Sequence, residues 1–231
     1  MESNTLFRPL EIIGLLKSHG KSTKVNKGEY IYHSGDRAGW IHMVIEGEVF
    51  ISRMHEEGKE LVTSLLVQDG IFGATSLFCG IKEHTTYARA KTDCVIQSFE
   101  RESFEMKILS DQALMAEWMQ WLDIDGSRQA TKLRDLSMYG KSGALASILI
   151  RLCNSFGTKT GQGITITTQL TNQNLAAMCG TSREGINRMM TELKQEGILS
   201  IDRKQITVHD IIALKKQVNC ENCSLDICQI F

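Results

Sequence analysis

The stretch Thr171–Ile198, TNQNLAAMCGTSREGINRMMTELKQEGI, decides how this chain is read. Thr171 to Cys179 reads as a helix, Gly180-Thr-Ser182 as a turn, and Arg183 to Glu196 as a second helix closed by Gly197. In the second helix Ile186, Met189 and Met190 recur at helical spacing and turn inward. Upstream, Ile164-Thr-Ile-Thr167 has strand composition. Downstream, Ile198-Leu-Ser-Ile201, the turn Asp202–Gln205 and Ile206-Thr-Val208 form a hairpin. Strand, helix, turn, helix and hairpin in this order make a winged helix-turn-helix.

Such a unit lays its second helix in the DNA major groove, with the first side chains of that helix on base edges. Arg183, Glu184 and Arg188 point outward together, with Ser182 and Asn187 beside them, so these five are the candidate DNA contacts. Arginine grips guanine O6 and N7 with two hydrogen bonds, and glutamate accepts from cytosine N4. The trio suits a half-site containing G·C pairs. The same letters also carry a plainer reading. Thr181-x-x-Glu184 matches a capping box, and Arg188 can pair with Glu184 or Glu192 on a solvated face.

Toward the N-terminus, residues 24–100 read as short strands punctuated by glycine from Gly28 to Gly80. Tyr30–Tyr32, Ile41–Ile45, Val49–Ile51, Leu61–Val67 and Val95–Phe99 are the richest in strand formers. From Arg101 the period changes. Leu114, Met115, Trp118, Met119, Trp121 and Leu122 form a helical stripe that Leu133 and Leu136 extend, weakened at Asp125-Gly-Ser127. The two tryptophans fit either a dimer seam or packing on the chain's own barrel. Gly140-Lys-Ser-Gly143 reads as a flexible junction, and Ala144–Leu152 as a buried helix. The expected organisation is a β-barrel over 1–110, a dimerisation helix over 111–139, the winged domain over 140–209 and a tail over 210–231, an α+β chain.

Composition bounds the class. With 231 residues, 42% hydrophobic content and one proline, the chain has ample core for one large domain or two small ones. No apolar run approaches the roughly 18 residues of a membrane span, and the first residues lack a basic region followed by an apolar one, so a cytoplasmic protein is expected. The net charge of −1 hides an asymmetry: residues 141–209 carry eight Lys/Arg against four Asp/Glu, whereas residues 1–140 carry sixteen against twenty. A mildly basic winged segment fits a nucleic-acid partner. No nucleophile–base pair, P-loop or dinucleotide fingerprint is present, so an enzyme is not expected.

The tail holds the chemistry the rest lacks. Cys220, Cys223 and Cys228 are three of seven cysteines, at C-x2-C-x4-C spacing. An odd cysteine count without a secretion signal points to a reducing compartment and to free or metal-bound thiols. Asn219, Asn222 and Ser224 disfavour a regular helix there. Soft thiolates at this spacing suit an iron–sulfur cluster or zinc, and a thiol–disulfide switch is a third possibility. Either metal site needs a fourth ligand from elsewhere; Asp135, Asp226, His209, Glu221 and several others are candidates on sequence grounds, and spacing does not choose among them. Cys79, Cys94, Cys153 and Cys179 are widely spaced and read as packing residues.

With barrel, long helix, junction and winged helix-turn-helix in order, nearly the whole chain resembles the Crp/Fnr family of bacterial transcription regulators. Arg183-Glu184-x-Ile186-x-Arg188 looks like that family's recognition signature in its Crp-type form. The resemblance implies a jelly-roll barrel of the cyclic-nucleotide-binding kind, a homodimer, palindromic TGTGA-type sites in double-stranded DNA, and contact with RNA polymerase. The barrel departs from the nucleotide-binding branch. Where the phosphate cassette has a glutamate after its glycine and an Arg-Ser pair, this chain has Ala74 and His84-Thr85. A phosphate there would lack its bidentate guanidinium, so cyclic AMP is not the expected ligand. The C-terminal cysteines look like the branch found in Gram-positive bacilli, where three such cysteines and one aspartate hold a [4Fe-4S] cluster. The Arg134-Asp135-Leu136 segment carries that aspartate's role onto Asp135. An oxygen-controlled regulator, an activator of anaerobic genes, is what the resemblance implies. The rival is a regulator gated by a small molecule in the barrel, with structural zinc in the tail.

Overall fold

A computed structural model describes residues 6–231. The chain forms two compact units whose continuous parts are Phe7–Ile124 and Asp125–Ile230.

The first unit runs α1 (Leu10–His19), β1 (Lys21–Val25), β2 (Tyr30–Tyr32), β3 (Trp40–Glu46), β4 (Val49–Met54), β5 (Glu60–Leu66), β6 (Ile71–Gly73), β7 (Tyr87–Ala90), β8 (Cys94–Glu100) and α2 (Arg101–Ser110), then enters α3 (Gln112–Phe156). The strands make two four-stranded antiparallel sheets, ordered β1-β8-β3-β6 and β2-β7-β4-β5. β8 is buried on both faces: Cys94 and Ile96 enter one core cluster, and Phe99, of opposite parity, enters the other. Sequence reading missed α1 and α2. Both are only ten residues long, and Ile12, Ile13, Leu16, Phe104 and Ile108 all enter one core cluster. Leu114 and Trp118 of α3 belong to it too, with Trp118 edge-on to Phe104 and stacked on Trp121. The tryptophans therefore pack on their own barrel, and this is why the unit extends into α3. Within this unit, Met119 (63% exposed) and Leu122 (41%) are the stripe residues left facing outward.

The second unit contains the rest of α3, β9 (Gly157–Thr160), β10 (Gly163–Ile166), α4 (Asn172–Met178), α5 (Arg183–Gln195), β11 (Leu199–Asp202), β12 (Gln205–Val208) and α6 (Ile211–Gln217). A four-stranded antiparallel sheet, β11-β12-β10-β9, forms the wing. Its tip is a two-residue turn at Arg203 and Lys204, both at positive φ, which matches the twist of a tight hairpin. α4 begins with a capping box in which the Thr171 hydroxyl accepts from Asn174 N and the Asn174 carboxamide accepts from Thr171 N. α5 buries Ile186, Met189, Met190 and Leu193, one helical stripe.

Two expectations about α3 change. The stripe's weak point at Asp125-Gly-Ser127 leaves the helix unbroken. The break lies at Gly140, with φ 62° and ψ −158°, a region open essentially to glycine alone. Nor is 140–143 a loose linker. The helix resumes at once, and a Cβ on Gly143 would fall 2.1 Å from Tyr139 Cβ. The junction is a packed elbow. Beyond it Ala144 to Cys153 is buried throughout.

These two glycines give opposite expectations. Gly140→Ala should lower stability by about 1–3 kcal/mol, the cost of forcing a side chain into that backbone region. Gly126→Ala, in helical backbone with no atom within 4 Å of its added Cβ, should raise it by roughly 0.5–1 kcal/mol. Thermal unfolding of the two variants, read against the parent, checks both signs.

Candidate DNA interface and cysteine site

The recognition face is built by α5. Ser182 is its N-cap, and its Oγ accepts from Gly185 N at 3.1 Å. The capping box anticipated at Thr181-x-x-Glu184 does not form, because the helix starts one residue later. Glu184 is thereby released from a capping role and stands in the first turn. Arg183, Glu184, Asn187 and Arg188 are all exposed, on the face opposite the buried stripe. Arg188 Nε lies 3.9 Å from Glu192 Oε1, with both side chains more than half exposed (78% and 58%). A pair so open to solvent is worth little, and a phosphate or guanine can displace it. Asn187 is held differently: its Oδ1 accepts from Asn172 Nδ2 on α4.

In the tail, Asn219 and Asn222 adopt positive φ, the left-handed backbone that asparagine tolerates best among side-chain-bearing residues. Asn222 N donates to Cys220 Sγ at 3.4 Å. Residues 226–229 then lie along α3 with every carbonyl satisfied by a side chain. Arg128 Nε donates to Asp226 O at 2.6 Å, and Arg151 Nη1 to Ile227 O at 2.8 Å and Gln229 O at 3.2 Å. Asn154 Nδ2 donates to Cys228 O at 2.8 Å, and Ile230 N donates to Ser155 Oγ at 3.1 Å. Such donors replace the water that tail carbonyls would otherwise bind.

The same helix bears Asp135, which is 4% exposed. Arg134 donates to its Oδ1 from Nε (2.9 Å) and Nη2 (2.6 Å), and Ser147 Oγ donates to Oδ2 at 2.5 Å from across the elbow. Arg151 Nη2 stands 3.7 Å from Oδ2. Arg134 also pairs with Glu221, which sits between Cys220 and Cys223. Both parts of the tail are thus tied to groups that touch Asp135. Burial raises the Cys228 thiol above its ordinary value; Arg151 opposes this, and the nearby Cys220 and Cys223 add to it. Burial, with Arg151 and Arg128 close by, pushes the Lys132 ammonium down to about 7, opposed by Asp125.

Of the named fourth-ligand candidates, His209 is engaged elsewhere. Its ring nitrogens meet Gln162 O at 2.6 Å and Ser200 Oγ at 2.8 Å in the wing. Asp226, Glu221 and Asp135 lie along the tail's docking line. Among the described residues, no three His, Cys, Asp or Glu side chains converge as a single-ion site requires. The other cysteines behave as packing residues in part. Cys94, Cys153 and Cys179 are buried, and burial pushes the Cys153 and Cys179 thiols up to about 12. Cys79 is exposed, with Sγ 3.0 Å from Ser76 O. In the barrel, Ala74 is buried, and the His84 ring is stacked at 3.7 Å on Tyr32.

Sequence reading missed Arg128, Ser147, Arg151, Asn154 and Ser155. One signal was available: Arg151 interrupts the apolar run Ile148-Leu-Ile-Arg-Leu-Cys153. A charge in such a run must find partners when buried.

Comparison with known proteins places this geometry. A Crp-like helix-turn-helix domain matches residues 143–217 and a cyclic nucleotide-binding domain matches 22–111. The anaerobic regulatory protein of Bacillus subtilis is 33% identical over 221 residues, covering 95% of this chain and 93% of the relative. The chain belongs to the Crp/Fnr family of transcription regulators. Within that family the global nitrogen regulator of Synechococcus elongatus is 28% identical, covering 92% of this chain and 95% of its own. A CooA variant from Carboxydothermus hydrogenoformans shares the fold at TM-score 0.76 and 20% identity, covering 92% of this chain and 96% of that one. The chain is therefore a DNA-binding regulator and not an enzyme. No helix among the described residues is long and apolar enough to cross a membrane.

For a Crp/Fnr regulator whose α5 reads DNA, Arg183→Ala should weaken specific binding by about 1–3 kcal/mol and relax base preference at one position of each half-site. Binding curves on a panel of single-base site variants check this. A uniform loss across the panel would mark Arg183 as a phosphate contact.

Proposed function

We propose that this protein is an oxygen-responsive transcription regulator, an activator of anaerobic genes, whose tail carries a [4Fe-4S] cluster on Cys220, Cys223, Cys228 and Asp135. The observation that carries the reading is the docking of the cysteine tail onto α3 at Asp135, through Arg134–Glu221 on one side of Asp135 and Arg151 on the other. Two observations support the donor set: Cys220 and Cys223 act electrostatically on the Cys228 thiol, and Asp135 belongs to the Arg134–Arg151 network that holds the tail. Each thiolate of a cluster binds its own iron, so convergence on a single ion is not required. When bound, the cluster supplies an oxygen-labile centre; a carboxylate ligand leaves one corner harder than the thiolate corners.

The chain's own residues do the rest. Arg128, Arg151, Asn154 and Ser155 dock the tail backbone, and Asn222 N hydrogen-bonds Cys220 Sγ. To serve as a ligand, Asp135 gives up hydrogen bonds from Arg134 and Ser147. Because Ser147 lies beyond the Gly140 elbow, the state of Asp135 bears directly on the helix that leads into the winged domain. Homodimers would present two α5 helices to a palindromic TGTGA-type site about one DNA turn apart. Exposed Met119, Leu122, Leu133 and Met138 on α3 support association of two chains. The cytoplasm is the compartment that suits free thiols and a nucleic-acid partner, and RNA polymerase is the expected third party. Against cyclic AMP gating stand Ala74, His84 and Thr85 at the positions that would hold ribose and phosphate. The similarity to the anaerobic regulatory protein of B. subtilis supports the oxygen reading.

Anaerobic purification with counts of iron and acid-labile sulfide tests this. About four of each per chain, a brown visible absorption that bleaches in air, and loss of both in Asp135→Ala are expected. A colourless protein with about one zinc would overturn the cluster and make the tail a structural clip.

A further inference from the structure

Asn187 occupies the centre of the recognition face, between Arg183-Glu184 and Thr191 on successive turns. A carboxamide has two ends, a carbonyl that accepts and an NH2 that donates. Which end faces the groove decides which base edge it reads. Turned with both ends outward, asparagine grips adenine, accepting from N6 and donating to N7. In this protein the carbonyl end is taken: Asn187 Oδ1 accepts from Asn172 Nδ2. Asn172 is itself fixed as the first residue of α4, half-buried and following the Thr171–Asn174 capping box. The donor therefore comes from a rigid helix start packed behind α5. Thr191 Oγ1 bonds Asn187 O at 2.8 Å, tying the next exposed position to the same turn.

We propose that Asn172 is a positioning residue for base recognition, holding the Asn187 carboxamide with its NH2 toward the groove so that Asn187 reads an acceptor edge. The bases suited are guanine (O6 and N7) and thymine (O4), and the two-point grip on adenine is disfavoured because Asn187 Oδ1 is already engaged. This rests on α5 being the DNA-reading helix. It needs no cluster, and it concerns a residue outside α5.

The test is selection of sites by the full-length protein from a pool of double-stranded DNA randomised over the half-site, at one fixed salt concentration. Wild type, Asn187→Ala, Asn172→Asp and the double variant are compared, with circular dichroism confirming that each is folded. Wild type should prefer guanine or thymine at one position, and Asn187→Ala should flatten that position alone, by about fivefold or more. Asn172→Asp keeps the shape but can only accept. It would draw the Asn187 NH2 toward itself and present Oδ1 to the groove, so preference at that same position should move to adenine or cytosine, whose amino groups donate. In the double variant the Asn172→Asp effect should vanish. Three results overturn the proposal: an Asn172→Asp preference equal to wild type at every position, a change that survives in the double variant, or a flat Asn187 position in wild type. A change in overall affinity without a change in base preference counts with the first of these, since added negative charge near DNA weakens binding uniformly. Failure of the helix-level reading would look different, because no half-site at all would be enriched.

Discussion

A guanidinium buried to 3% exposure is the constraint on which the second unit depends. An isolated charge at such depth costs several kcal/mol, and it is tolerated only where its donors and its charge are met. Arg151 is met from three segments of chain. Thr131 and Asp135 come from α3 before the elbow, Ser147 from the turn after it, and the carbonyls of Ile227 and Gln229 from the tail. Removing any one of the three would leave part of the guanidinium unpaired. The tail is thus held by the need to satisfy Arg151 as much as by its own Ile230, which is 2% exposed. This is why a segment too short for a core of its own has a defined path.

The elbow makes that arrangement possible. Without Gly140 in its left-handed conformation, α3 would run straight, and Ser147 could not return to Asp135. The pairing of these two side chains across the break couples the dimer-type helix to the helix that enters the winged fold. The tail is therefore tied, through Arg151 and Arg134, to the carboxylate that pairs across the elbow. On the DNA side the economy is similar. Ser182 fixes where α5 begins, the apolar stripe fixes which way it faces, and Asn172 fixes one of its reading groups.

Much of this was legible in the letters. The winged unit follows from turn chemistry and helical spacing that leave few alternatives: Gly180-Thr-Ser182, Gly197 and the Asp202–Gln205 turn all fall where the chain bends. The cysteine spacing marked the tail. What the letters did not show was long-range. α1 and α2 are short, and their apolar residues gain meaning only from a core assembled by distant strands. The stripe's interruption at Gly126 looks like a break because glycine disfavours helices, yet packing on either side overrides about 1 kcal/mol of propensity. Gly140 breaks the helix instead, since Asp135–Ser147 pairing rewards the bend. Which residues dock the tail could not be read from spacing, because Arg128, Arg151 and Asn154 bond backbone carbonyls, and a carbonyl has no signature in sequence. Local wording also misled at the start of α5. Thr181-x-x-Glu184 and Ser182 compete for the cap, and Ser182 takes it by bonding Gly185 N.

Oxygen control of DNA recognition is tested by affinity measured on a single protein preparation. Fluorescence anisotropy would follow binding to a labelled TGTGA-type palindrome and to a scrambled duplex, at one salt concentration, first without oxygen and again after exposure to air. Specific affinity is expected to fall by about tenfold or more in air while affinity for the scrambled duplex stays level, because phosphate contacts supply non-specific binding and the spacing of two reading helices supplies the specific part. Equal affinity for the palindrome before and after air would contradict the oxygen switch.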